Sequence, residues 1–455
     1  MGSRKEVYLK EEKEDMIDLE YQSMLPVFQD AEYGSYLIIP LKYDETTVSS
    51  AHIGAFQEYP VETNDLMEQT RRMFDKNNPV HAGLRYRISG EELMKELFGD
   101  VTGTADAGQN QILYASEKGE KAPNPEHDEI RIEDSFLFLF EMPVAFLCLG
   151  VCYRGMDVLH RICNPGYAKS GATYFLGTKE ISLDRALIKL FSKMGLEPFF
   201  PVKESLFLEA YVYTIAVVKE RFRELVTIQQ GTLNLHLFVT LTNPAEDLSQ
   251  EDVRYVYAAK EQKNGTYRWG ACISSQRISY LIGGHEETIE KEMELHSRGD
   301  LPLVILALEQ KYTCLRFAEL LSKTDRRNTK ALKNLKKQML TFRAYATVDS
   351  SNVSRWFNIK RVYEYLSEDL GVRRAIEDIS NKLGMLADYQ QDLESRRYAT
   401  ISWLITLFGI VSILASVLSI INFLNTGWRL YWIVTIVLSL LIVGTGLVAL
   451  RFTRK

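Results

Sequence analysis

Two long apolar runs near the C-terminus leave little freedom in what this chain can be. Ile401 to Leu424 reads ISWLITLFGIVSILASVLSIINFL and carries no charge. As a helix rising 1.5 Å per residue it is about 36 Å long, enough to cross a hydrocarbon core of about 30 Å. Leu430 to Leu450, LYWIVTIVLSLLIVGTGLVAL, is again uncharged and long enough to span. A core helix of a soluble protein rarely stays uncharged for so long. The pair predicts a two-helix transmembrane hairpin, 401–424 and 430–450.

The flanks give an orientation. Arg396 and Arg397 precede the first run, Arg451, Arg454 and Lys455 follow the second, and the link between them has only Arg429. The bias of basic residues toward the cytoplasm then predicts a multi-pass protein of the cell's inner (plasma) membrane, with both termini in the cytoplasm. Trp428, Tyr431 and Trp432 suit the outer interface, and Tyr398 and Trp403 the inner one. Neither run holds a carboxylate, His or Lys, which disfavours a proton-coupled transporter.

The first run also has a face. Ser402, Thr406, Gly409, Ser412, Ser416 and Ser419 recur at spacings of four, three, three, four and three, a small and weakly polar stripe on one side of a helix. Two readings fit it: close packing of helices, which favours small residues in membranes, or the lining of a water-filled pore. The spacing averages a little under 3.5, so the stripe would face the axis of a left-handed bundle.

Upstream, Val372, Ile376, Ile379, Leu383, Leu386 and Leu393 keep a four–three rhythm, with Gln390 in the missing place. That is a short coiled-coil seam, and one helix is expected to run from it into the first apolar run. Either it forms a stalk between copies or it packs on its own domain. A further long helix is expected after Pro302, its apolar stretch Leu301 to Leu308 too short to span. The helix after it carries Lys330, Lys333, Lys336 and Lys337, either a solvated face or one turned to anionic lipid.

The first 300 residues alternate strand-like and helix-like stretches and read as one α/β domain. Strands are expected at Ser35 to Tyr43, Phe136 to Phe140, Val144 to Tyr153 and Leu233 to Leu241, and a hairpin over Arg254 to Ser274 turning at Asn264-Gly265. Ser89 to Glu92 is a capping box opening a short helix. Ser205 to Leu225 reads as a helix, and the turn-rich Val101 to Glu129 as a loop. The domain plan is therefore a cytoplasmic α/β sensing domain over 1–300, a helical stalk region over 301–399, and the hairpin with its basic tail over 400–455.

Composition narrows the function. A net charge of −6 argues against a dedicated nucleic-acid binder. The N-terminus lacks the apolar core of a secretory signal. Five cysteines, Cys148, Cys152, Cys163, Cys272 and Cys314, make no disulfide framework in 455 residues and fit a reducing compartment. Gly166 and Gly171 have phosphate-loop spacing, but Ala172 stands where Lys is required, so a surface turn is the better reading. Cys148, Cys152, His160 and Cys163 match no zinc spacing and read as buried thiols. No paired-acid, Ser-His-Asp or Cys-His arrangement stands out, and the chain is not expected to be an enzyme or to hold a covalent cofactor.

In layout, residues 300 to 455 resemble the CorA family of divalent-cation transporters: a large cytoplasmic domain, a stalk helix continuing as the first membrane helix, a short outer loop, and a second membrane helix with a basic tail. The resemblance implies a homopentamer in the lipid bilayer, a pore lined by the first membrane helices, and passive movement of Mg²⁺ or another divalent cation. The family's Gly-Met-Asn signature aligns here with Phe423-Leu424-Asn425, of which only the Asn is kept. By the resemblance Asn425 would stand at the pore mouth, where an amide oxygen can meet the water shell of a hydrated ion. Asn422, three residues earlier, could add a second amide ring. Phe423 in place of Gly departs from the pattern and puts the family's ion selectivity in question. Some CorA-like proteins lacking the signature are membrane effectors of type III CRISPR defence, opened by a nucleotide-derived second messenger, which is the alternative function. A membrane-anchored scaffold without a pore is the third.

Overall fold

The computed structural model describes residues 28, 31–44, 54–63, 65–79, 81–99, 112–117, 119–155, 157–163, 172–218, 225–239, 254–257, 269–284, 288–325, 328–425, 432–433, 435–437 and 439. The chain divides into two compact units. The first comprises Met1–Ser322 and Gln338–Ile379, the second Lys323–Lys337 and Ser380–Lys455.

The first unit is organised by a long strand, β1 (Glu32–Lys42), whose residues are buried over most of its length. Continuous apolar runs of this kind belong to strands covered on both faces. Twelve of the remaining strands are β2 (Gln57–Glu58), β3 (Gly83–Ile88), β4 (Leu113–Glu117), β5 (Glu129–Ile132), β6 (Ser135–Phe140), β7 (Val144–Tyr153), β8 (Ala172–Leu176), β9 (Lys179–Ile181), β10 (Glu197–Pro198), β11 (Tyr211–Val218), β12 (Arg254–Tyr257) and β13 (Trp269–Ile273), and β14 (Arg277–Gly283) completes the set. Among the described residues these form one sheet in the order β12-β13-β14-β11-β1-β7-β5-β4-β8-β9. A side branch pairs β6 with β7, β3 with β6 and β2 with β3. All pairs are antiparallel except β11 with β14.

Alternation along β1 sorts the two faces. Tyr33, Leu37, Ile39 and Leu41 join Leu147, Leu149, Val151, Val212 and Ala216 in the larger core cluster. That layer is closed by helices Val158–Cys163 and Leu183–Lys193 through Leu159, Ile162, Leu187 and Phe191. The other face carries Gly34 and Tyr36, and helix Ile289–Arg298 lies against it. A Cβ on Gly34 would stand 2.4 Å from the Met293 sulfur and 2.9 Å from Ile289 Cγ1, so any larger residue there would have to push these side chains aside. The Tyr36 hydroxyl donates to the Met293 carbonyl at 3.0 Å. Helix Asp300–Lys323 follows, buried without a break from Leu301 to Gln310, and its Tyr312 ring meets Phe146 of β7 edge-on at 5.5 Å.

Several expectations are met. β1, β6 and β7 lie where the apolar runs place them, and β12 and β13 pair antiparallel with Arg254 opposite Ile273; the expected Asn264-Gly265 turn lies outside the described residues. The capping box is formed, the Ser89 side chain accepting the Glu92 backbone N–H at 3.3 Å. Helices Asp300–Lys323 and Thr329–Tyr345 are present.

Three expectations are corrected. The helix expected over Ser205 to Leu225 is absent where the stretch is described up to Val218: Leu206–Glu209 is one 3-10 turn, and Tyr211–Val218 is the buried strand β11. The β-branched and aromatic run YVYTIAVV fits a pleated, doubly covered strand, and β1 and β14 flank it on either side. Leu233 to Leu241 is not a strand where it is described: helix Leu225–Asn234 runs into a π-helical stretch, Leu235–Val239. His236 there is buried and hydrogen-bonded to Ser279 of β14 at 2.9 Å, a tertiary contact that apparent alternation in LNLHLF does not reveal. The expected loop over Val101 to Glu129 contains β4, which pairs with β5 and β8.

Candidate functional site

A single helix runs from Val372 to Asn425, 54 residues, and so is about 80 Å long. Its opening turns belong to the first unit, where Val372 and Ile379 of the expected seam are buried. In the second unit Leu383 is buried and Leu386 half-buried. Lys333 of helix Thr329–Tyr345 pairs with Glu394 at 3.3 Å, while Lys330, Lys336 and Lys337 are exposed.

Beyond Leu383 no described residue of the helix is buried. Ile405, Ile410, Ile413, Leu414, Leu418, Ile420 and Leu424 are all exposed. Leaving such side chains in water rather than in an apolar phase costs on the order of 10 kcal/mol together. Nothing charged lies between Arg397 and Asn425 to offset it. The helix is long and apolar enough to cross a membrane.

The multi-pass topology, with both termini in the cytoplasm and placement in the inner membrane, is corrected at this point. Among the described residues one helix, Val372–Ile421, qualifies as a span. Of the second apolar run only Trp432, Ile433, Thr435, Ile436, Val437 and Ser439 are described. What the described residues support is a large α/β unit followed by one helix able to span.

Within that helix two faces separate. Ile401, Leu404, Phe408, Val411, Ala415 and Ser419 are half-buried. Ser402, Thr406, Gly409, Ser412 and Ser416 are exposed. At 3.6 residues per turn the centres of the two sets are about 120° apart. Ser419 therefore stands at the border of the stripe. The half-buried face repeats at three- and four-residue spacings, a pattern that was open to reading in the sequence but is masked there by apolar residues all round.

The hydroxyls are oriented. Thr406 Oγ1 donates to the Ser402 carbonyl at 2.8 Å, and Ser416 Oγ to the Ser412 carbonyl at 2.9 Å. Each uses its one hydrogen along its own helix, so the oxygen offers only acceptor lone pairs outward. Asn422 and Asn425 lie in the last turns of the helix, and their side chains are outside what is described. Phe423 and Leu424 are exposed.

The cysteine set of the α/β unit does not come together. Cys148 and Cys152 on β7 face helix Ile289–Arg298, where the Cys152 sulfur lies 3.3 Å from that of Met293. Cys163 belongs to the opposite core layer. Burial pushes the thiols of Cys152 and Cys163 up to about 12. Residues 164–171, which include Gly166 and Gly171, lie outside the described residues, and Ala172 begins β8.

No family model matches the sequence, and no curated protein matches it. Among solved structures the chain is similar to that described as the complete structure of CorA magnesium transporter from Methanocaldococcus jannaschii, at 12% identity and a TM-score of 0.20, over 54% of this chain and 92% of that one. This is a distant likeness to a CorA-type structure and no more.

Proposed function

We propose that several copies of this chain assemble in a membrane as a cation channel or transporter, the 402–416 face of helix Val372–Asn425 lining the pore and the α/β unit setting the balance between open and closed. One observation carries this. On a helix able to span, the small hydroxyl face is exposed and stands apart from the half-buried face. A face used for packing within the chain would be the covered one.

The chemistry has a sign. Oxygens whose hydrogens are already donated along the helix present acceptors, which replace water around a cation and repel an anion. The absence of a carboxylate from 398–424 leaves nothing to carry a proton and points to passive movement. One helix encloses no water, so a pore requires several copies around an axis. A regulating ligand would act by binding one state of the α/β unit better than the other.

Cation flux from protein-loaded liposomes tests the proposal. The wild type should release K⁺ or Mg²⁺ above protein-free vesicles, and Ser412→Leu with Ser416→Leu should abolish the release, while Leu418→Ile, on the opposite side of the helix, should not. No flux with any cation would leave a membrane-anchored scaffold as the better description. Undiminished flux in the double variant would remove these residues from the pore.

A further inference from the structure

The first unit contains a cavity of about 300 Å³ whose walls come from widely separated parts of the sequence. Trp269 opens β13, Tyr280 lies in β14, Glu292 in helix Ile289–Arg298, Asp300 begins the next helix, and Trp356 precedes helix Phe357–Asp369; Asp65 completes the wall. Three aromatic side chains and three carboxylates thus line one space, and no Lys or Arg is among the lining residues. His296 also lines it, but burial drives its pKa down to about 3, so it adds no positive charge at neutral pH.

The aromatic part is ordered. The Tyr280 ring lies 6.0 Å from Trp269 and meets His296 edge-on at 4.5 Å. His296 Nδ1 and the Tyr213 hydroxyl are hydrogen-bonded, which fixes the imidazole. Tyr280 is 1% exposed, and its hydroxyl neighbours the Asp300 carboxylate and the Tyr213 hydroxyl. Trp356 is 53% exposed, and Arg355 stands 6.0 Å over its ring, so one face of that indole already takes a cation. Burial and the nearby charge of Asp65 raise the Asp300 carboxyl, opposed by the Tyr280 hydroxyl, to about 6, and the imidazole of His296, 3.5 Å away, is neutral and does not compensate its charge.

An inorganic cation does not explain the arrangement. Among the described residues no three His, Cys, Asp or Glu side chains converge as a metal would need. The carboxylates are spread around aromatic walls instead. Spread negative charge and rings that attract positive charge suit a cation that is itself partly apolar. We propose that this cavity binds an organic ammonium ion, held by cation–π contact with Trp269, Tyr280 and Trp356 and by the charges of Asp65, Glu292 and Asp300.

The claim concerns the α/β unit and does not depend on a pore. Its test is binding by the full-length protein in detergent, read by isothermal titration with choline as the probe. The neutral isostere 3,3-dimethylbutanol, K⁺ and Mg²⁺ serve as comparisons at constant ionic strength. Saturable binding of choline is expected, with the isostere weaker by about tenfold or more. Trp356→Ala should weaken choline by about tenfold as well; its side chain makes no capping hydrogen bond, and the exposed ring can be removed without opening the core. Asp300→Asn should weaken choline while leaving the isostere unchanged. Absence of choline binding, equal binding of the isostere, displacement by Mg²⁺ at equal strength, or indifference to both substitutions would each overturn the assignment.

Discussion

Glu309 should make the α/β unit less stable as the pH rises. It lies in the buried stretch of helix Asp300–Lys323, 1% exposed. Thr313 Oγ1 donates to its Oε1 at 3.0 Å, and Oε2 has no hydrogen-bond partner. Cys314 and Tyr363 feel its charge, and neither is positive. Burial, opposed only by the Thr313 hydrogen bond, pushes the carboxyl from 4.5 up to about 8. The folded state therefore keeps a proton that the unfolded chain has lost. Stability tied to that proton is full below about pH 4.5 and falls by about 1.4 kcal/mol per pH unit until about pH 8, about 5 kcal/mol in all. Glu309→Gln keeps the shape and removes the titration. Urea unfolding of both proteins in detergent, followed by tryptophan fluorescence at pH 5, 6.5 and 8, should show the variant gaining on the wild type with each step up in pH. A stability difference that stays flat with pH, or that narrows, would show that Glu309 ionises in the folded protein at its ordinary value and that its buried site is not as dry as described.

Other consequences follow from the same packing. Asp128 and Arg161 form a buried pair at 2.6 Å, their side chains 5% and 9% exposed. Burial alone would raise the Asp128 carboxyl, but the Asn124 N–H, the Ser116 hydroxyl and Arg161 together hold it below its ordinary value. Its contribution is present above about pH 4 and is lost as pH falls through the lowered value. Asp128→Asn should cost about 3 kcal/mol at pH 7, because Arg161 is left buried without its counter-charge, and less in acid, as denaturation at pH 7 and at about pH 2 would show. At Gly90 a Cβ would stand 2.0 Å from the Ile132 carbonyl oxygen. Gly90→Ala should therefore lower the unfolding midpoint by an amount equivalent to about 1–3 kcal/mol, although alanine normally favours a helix.

The parts of the fold legible in the sequence are those in which local pattern and tertiary burial agree. Val144 to Tyr153 reads as a strand because every residue in it is apolar, small or aromatic, and β7 is buried throughout. Ser89 and Glu92 announce their helix because the cap is made within four residues. Tyr211–Val218 is not legible as a strand because the apolar residues around it also satisfy a helical period; its neighbours β1 and β14 decide the matter, and they lie far away in the chain. The hydroxyl stripe was legible from spacing alone, since a helix fixes which residues share a face. Which face is covered was not legible, because covering is done by other segments. The ammonium cavity had no local signature at all: Asp65, Trp269 and Trp356 are brought together only by the fold.

The pore assignment is tested most directly by placing cysteines along the helix. All five native cysteines are buried, so they leave a clean background for a water-soluble, charged thiol reagent. Single variants Ser402→Cys, Thr406→Cys, Ser412→Cys and Ser416→Cys would be compared with Leu407→Cys, Leu414→Cys and Leu418→Cys, on the opposite side of the helix, in liposomes conducting K⁺ or Mg²⁺. Reaction and block of flux at the first set, with neither at the second, is the predicted result. Reaction at neither set, or block that ignores the face of the helix, would contradict a pore lined by these hydroxyls.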